Sequence, residues 1–194
     1  MRNIFNILVL VVAFYSGSYA QNSRPLFPVK SAQIKYSVKM FGSEGTMVVN
    51  FDNFGKRQVS VLNLNLFGSP LNTKILLIDN QLYNINVNEK HYSKSTLTEK
   101  DFERMNYLIN EAEITKNPNL RKEKPEILLN KNCNVYVLQQ KGLETKYWVW
   151  KNLILKLQST AQGQTISILA TEITEGIQAP DVFKIPSEYK VISN

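Results

Sequence analysis

Cysteine and histidine each occur once in these 194 residues, as Cys133 and His91. A lone cysteine forms no internal disulfide, so the fold must rest on its core, or two chains must pair through that thiol. Cys133 stands at the entry of the predicted strand Asn134–Gln140, in the run Asn132-Cys133-Asn134-Val135-Tyr136. That setting suits a buried small hydrophobe better than a reactive thiol. One imidazole excludes zinc sites that need two or more. A Cys–His nucleophile pair would require Cys133 and His91 to meet in space, which nothing in their spacing suggests. Neither a Gly-x-Ser-x-Gly elbow nor a phosphate-cradling glycine loop occurs. Glu172 and Glu175 are the nearest acidic pair in a strand region, and at three apart they point to opposite faces, against a two-carboxylate glycosidase site. No metal or cofactor is implied, and no reaction can be named.

Acidic residues are also in deficit, 16 against 23 basic ones, for a net charge of +7. A basic balance favours anionic surfaces such as lipid headgroups or acidic glycans. The lysines are scattered, without the stripe that nucleic-acid binding requires, so nucleic acid is not expected as a partner.

Only one long apolar run is present, Ile4 to Phe14, broken by Asn6 and too short to span a bilayer comfortably. Arg2 precedes it, and Ser18 and Ala20 occupy the two positions a signal peptidase reads. The expectation is a cleaved secretory signal over residues 1–20 and a periplasmic, or extracellular, mature chain without a transmembrane segment. Gln21 follows the cut where a lipid-anchored protein would have cysteine. Arg2 is the only charge removed, which leaves +6 on the mature form.

Pro25 and Pro28 mark an extended leader over 21–30, followed by one domain over 31–192. Period-two alternation begins with Ile34, Tyr36, Val38 and Met40 on one face. Met47, Val49 and Phe51 repeat it, then Arg57–Phe67, Lys74–Asp79 and Leu82–Val87, a five-stranded meander. Within the third strand the phase changes: Val59 and Val61 share one face, Leu62, Leu64 and Leu66 the other. Either a bulge shifts the register or both faces are covered.

Helical spacing then intervenes. Thr98 is placed to cap a helix with Asp101 three residues on, and Phe102, Met105, Leu108, Ile109 and Ala112 fall on one side. Glu113–Glu126 reads as a polar, solvated loop with Pro118 and Pro125. Strands return at Asn134–Gln140, Thr145–Lys151, Leu153–Thr160, Thr165–Ile173 and Lys184–Ile192. Trp148 and Trp150 share one face of theirs, either as a buried pair or as a stacking platform for sugars or headgroups. Lys151 and Lys156 flank that hairpin. The expected class is α+β: a strongly curved antiparallel sheet, an open half-barrel, with a helical excursion packed on its concave side.

Three blocks resemble small exported Gram-negative proteins, most of them domains of unknown function. These are Gly45–Arg57, the aromatic hairpin Thr145–Lys156, and the closing segment Ala179–Val191 with its Phe183-x-x-Pro186-x-x-Tyr189 pattern. The order of hairpins, helix and hairpins is similar to the superfamily of the periplasmic lipoprotein carrier and its outer-membrane receptor. That resemblance implies a half-barrel with an apolar cavity for acyl chains. It departs from the carrier in one respect: Arg57, Arg104 and Arg121 sit in no motif that matches the carrier's functional arginine.

The function expected is non-enzymatic binding or carriage of a hydrophobic or amphiphilic ligand, a lipid or a lipoprotein acyl chain. Its expected lining is Trp148, Trp150, Phe102, Met105, Leu108, Ile109, Met40 and Met47. The helix would be either permanent core or a lid. The alternative is a structural or interaction module of the cell envelope, with a closed core, no ligand and a protein partner.

Overall fold

Alternation of apolar and polar residues is converted into strands over most of the chain. The computed structural model describes residues 27–98, 118–140, 142–161 and 163–192. The first meander is β1 (Ala32–Met40), β2 (Ser43–Asp52), β3 (Arg57–Leu66), β4 (Ser69–Ile78), β5 (Gln81–Asn86) and β6 (His91–Thr96). The second is β7 (Leu120–Leu128), β8 (Lys131–Gln140), β9 (Leu143–Trp150), β10 (Leu153–Ala161) and β11 (Gln164–Glu175). A short β12 (Lys190–Val191) follows.

All twelve belong to one open, curved sheet in the order β12-β6-β5-β4-β3-β2-β1-β11-β10-β9-β8-β7. β1 joins the meanders by pairing antiparallel with β2 on one side and β11 on the other. A bulge between Lys35 and Tyr36 breaks the β1–β11 register once. β6 and β7 lie near opposite edges, although they are consecutive in sequence.

The registers define two sheet faces. On the face that carries Tyr36, one row of side chains crosses seven strands: His91, Asn86, Thr73, Leu62, Met47, Tyr36 and Ala170. Its apolar part belongs to the main core with Ile34, Val38, Met40, Phe51, Leu157 and Tyr147. The Tyr36 hydroxyl donates to the Ile154 carbonyl at 3.0 Å, fastening β1 to β10 within that core. Phe27, ahead of β1, packs on Phe51 with ring centroids 4.7 Å apart. A smaller cluster of Val59, Leu76, Ile85 and Phe183 occupies the reverse face. A 3-10 turn at Pro180–Phe183 brings Phe183 there, with the Arg57 guanidinium 5.0 Å from its ring.

That second cluster resolves the phase change of the third strand. β3 pairs with both neighbours without a register shift, so there is no bulge. Val59 and Val61 face the reverse cluster while Leu62 and Leu64 face the main core.

The expected α+β class is corrected: among the described residues the fold is all-β, without an α-helix. Residues 99–117, where the helical excursion was expected, lie outside the described residues. The polar loop expected over Glu113–Glu126 is corrected in its second part, since Leu120–Leu128 forms β7. This is an edge strand, where charge, Pro125 and a bulge between Glu123 and Glu126 discourage pairing with another chain. The final strand expected over Lys184–Ile192 shrinks to Lys190–Val191, parallel to β6. Pro186 lacks the amide proton a longer ladder would use. Cys133 is buried and unpaired, and burial pushes its thiol above the ordinary range.

Candidate functional site

The row through Tyr36 changes character at β4. From Leu62 onward it is apolar and sealed, whereas Thr73, Asn86 and His91 are polar and half-buried. The next row, Ile75, Asn84 and Ser93 paired across β4, β5 and β6, turns polar at β5. A cavity of about 530 Å³ lies over this part of the sheet. Leu71 and Ile75 provide its apolar floor, and amide and hydroxyl groups its sides.

Local bonds fix several of these groups. Asn72 Nδ2 donates to Asn88 Oδ1 at 3.1 Å, and Asn86 Oδ1 accepts from the Glu89 amide at 3.0 Å. His91 Nδ1 lies 3.2 Å from Glu89 Oε2 at the mouth. The Thr73 hydroxyl is cut off from water and has no hydrogen-bond partner among the described residues.

The expected lining residues fall in three places. Met40 and Met47 are fully buried on the Tyr36 face, and Met47 lies in the cavity row two strands inward from Thr73. Phe102, Met105, Leu108 and Ile109 lie outside the described residues. Trp148 and Trp150 do share one face of β9, the reverse face, away from the cavity. Trp148 is 2 % exposed, its ring between Lys156 at 4.0 Å and Lys146 at 4.9 Å. Its indole Nε1 donates to Glu126 Oε2 at 2.7 Å, which ties β7 to β9. Trp150 is half-buried between Lys131 at 4.5 Å and Lys151 at 4.8 Å. Of the expected lining among the described residues, therefore, Met47 alone lies in the cavity row, and Trp148 is covered by lysine stems rather than open.

Thr73, Asn84, Asn86, His91 and Ser93 were missed from sequence. The signal that could have found them is Asn84-Ile85-Asn86, where asparagine takes the alternate positions that β1 and β2 fill with apolar residues.

Beside Trp148, Lys146 Nζ lies 2.7 Å from Glu123 Oε2. The hydrogen bond from Lys146 is the main reason the Glu123 carboxyl is held below its ordinary value of 4.5. A depressed carboxyl stabilises the fold fully above that ordinary value and loses its contribution as pH falls through the depressed one. In urea unfolding between pH 7 and 3, Lys146→Met is expected to flatten the acid decline of the midpoint. An unchanged decline would assign it to other carboxylates.

Among the described residues, no three His, Cys, Asp or Glu side chains come together to hold a metal ion. No helix there is long and apolar enough to cross a membrane.

No protein-family model matches the chain, and no curated protein matches it in sequence. Solved structures match it in fold. An uncharacterized conserved protein from Thermus thermophilus superposes with a TM-score of 0.57 at 11 % identity, over 85 % of this chain and 91 % of that one. MucB in the Pseudomonas aeruginosa MucA/MucB complex gives 0.55 at 15 % identity, over 84 % of this chain and 58 % of the other. A further MucB structure gives 0.52 at 14 % identity, over 84 % and 60 %. The chain thus has the sheet of these proteins and spans rather more than half of MucB.

Proposed function

We propose that the protein is an exported binding protein of the cell envelope, which takes an amphiphilic ligand (a lipid or lipoprotein acyl chain) in the β4–β6 cavity without reacting with it. One observation carries this reading: the sheet face that is sealed core from β3 to β10 opens over β4–β6 into about 530 Å³ with an apolar floor and polar walls, mostly amide and hydroxyl with Lys74 and Glu89 among them. Specific ligand pockets run from roughly 300 to 1,000 Å³ and combine the same two elements. Leu71 and Ile75 would take the chain, and Asn84 and Ser93 the polar end. Apolar burial contributes about 25 cal/mol per Å², less the cost of association.

The test is native mass spectrometry of protein from its own envelope fraction, followed by titration of delipidated protein with octyl glucoside below its micelle concentration. The expected result is a lipid-mass adduct and saturable glucoside binding. Both should be lost in Ser93→Trp, which fills the cavity from an edge strand that accepts aromatic residues. A bare wild-type protein that ignores the glucoside would overturn the reading. The second reading, a protein partner, draws support from the MucA complex of a protein with this fold, and would then take its place.

A further inference from the structure

The hairpin tips beside the cavity carry a second surface. Turns alternate between the two ends of an antiparallel meander, so the β1–β2, β3–β4 and β5–β6 connections share one end of the sheet. The first two are Phe41-Gly42 and Phe67-Gly68, with φ of 51°, 77°, 52° and 81°. Both residues of such a turn adopt positive φ, which suits Asn-Gly and strains phenylalanine. The chain keeps phenylalanine in both. The two rings stack at 6.3 Å, and Phe67 is 69 % exposed. Val87 is exposed at the third tip. Neither turn position needs phenylalanine for chain reversal; Phe41 packs half-buried against the main core, whereas the exposed Phe67 ring adds little to it. A strained, solvent-facing ring at Phe67, stacked on Phe41, is accounted for by what it meets outside the protein.

Charge selects the occupant. Lys90 stands at the third tip and Lys190 joins it, its amide donating to the Lys90 carbonyl at 3.0 Å. Both residues lie at the solvent-facing end of the sheet, Lys90 in the turn before β6 and Lys190 in β12. Two stacked rings and an exposed valine, flanked by two ammonium groups on a chain of net charge +7, match the composition of interfacial membrane anchors. Gly68 is two residues from Pro70 and three from Leu71 of the cavity wall, so the surface is continuous with the mouth.

We infer that the Phe41, Phe67 and Val87 tips, with Lys90 and Lys190, dock on an anionic phospholipid surface and hold the cavity mouth against it. This rests on separate residues from the cavity reading and can fail without it.

Flotation with vesicles of phosphatidylcholine and phosphatidylglycerol at about 7:3, and of phosphatidylcholine alone, tests the inference. The wild type is expected to float with the anionic vesicles and to release as salt rises. Phe67→Asn suits the turn backbone, so it should keep the melting temperature while cutting flotation at least about tenfold. Phe67→Trp should retain it. Leu129→Asn makes the same change at another positive φ (48°), at the opposite end of the sheet, and should leave flotation unaltered. Octyl glucoside binding should be unchanged in Phe67→Asn. The inference is overturned if the wild type does not float, if Phe67→Asn floats as well as the wild type, or if Leu129→Asn abolishes flotation instead.

Discussion

Trp148→Ala is expected to lower the stability of the fold by about 4 kcal/mol, the usual cost of removing a buried tryptophan. For a domain of this size that is a fall in melting temperature of roughly 10 °C. Three contributions disappear together. The indole loses its buried area, the ammonium groups of Lys146 and Lys156 lose the ring they lie over, and Glu126 loses its 2.7 Å donor. The last helps connect β7, whose sheet neighbour among the described residues is β8, to a strand one further in. Trp148→Phe keeps a six-membered ring and removes the charge-assisted bond with only part of the indole's buried area, for a cost of about 2 kcal/mol. Thermal and urea unfolding measure both. If Trp148→Ala leaves stability intact while ligand binding falls, the residue is a ligand platform and its structural role is refuted.

Gly45→Ala should cost about 3 kcal/mol, at the upper end for overpacking. Gly45 lies opposite Leu64 in the β2–β3 ladder. A methyl group there would stand 2.9 Å from Leu64 Cα and 2.8 Å from its Cδ1, with the Asn63 carbonyl oxygen closer still. Two of those three atoms are backbone, so relief requires moving a strand rather than turning a side chain. Gly42 provides the contrast. It has φ of +77° and open space around it, so Gly42→Asn, which accepts that conformation, should cost less than about 1 kcal/mol. Equal effects at the two positions would show that the β2–β3 spacing relaxes.

Legibility from sequence followed burial. Ile34, Tyr36, Val38 and Met40 announced β1 because one face is wholly buried and the other carries lysines. β6 holds His91-Tyr92-Ser93-Lys94-Ser95-Thr96 without apolar alternation, since a half-covered strand flanked at the edge only by the two-residue β12 needs little of it. β7 was hidden by Arg121, Lys122, Glu123 and Lys124, the same charges that keep its edge from pairing. The cavity was illegible for a different reason. Thr73, Asn86 and His91 come from three strands, and only the register places them in a row with Leu62 and Met47. The tryptophans were correctly assigned to one face. Their lysine cover was not legible for Lys131 and Lys156, which come from neighbouring strands.

The joint between β1 and β11 has a consequence for how the chain is made. Each meander closes through neighbours a few residues apart, whereas Ala32 must find Glu175 and Lys39 must find Ser167. Closing so long a loop carries an entropy cost that local hairpins do not, and it slows the search. A chain emerging amino end first therefore holds β1 with one side bare until nearly all of its length has appeared. Completion is a late, single event that depends on the last long strand. Truncation before Gln164 would remove β11, leaving β1 paired with β2 alone, and would leave two separate half-sheets, each with an additional open edge.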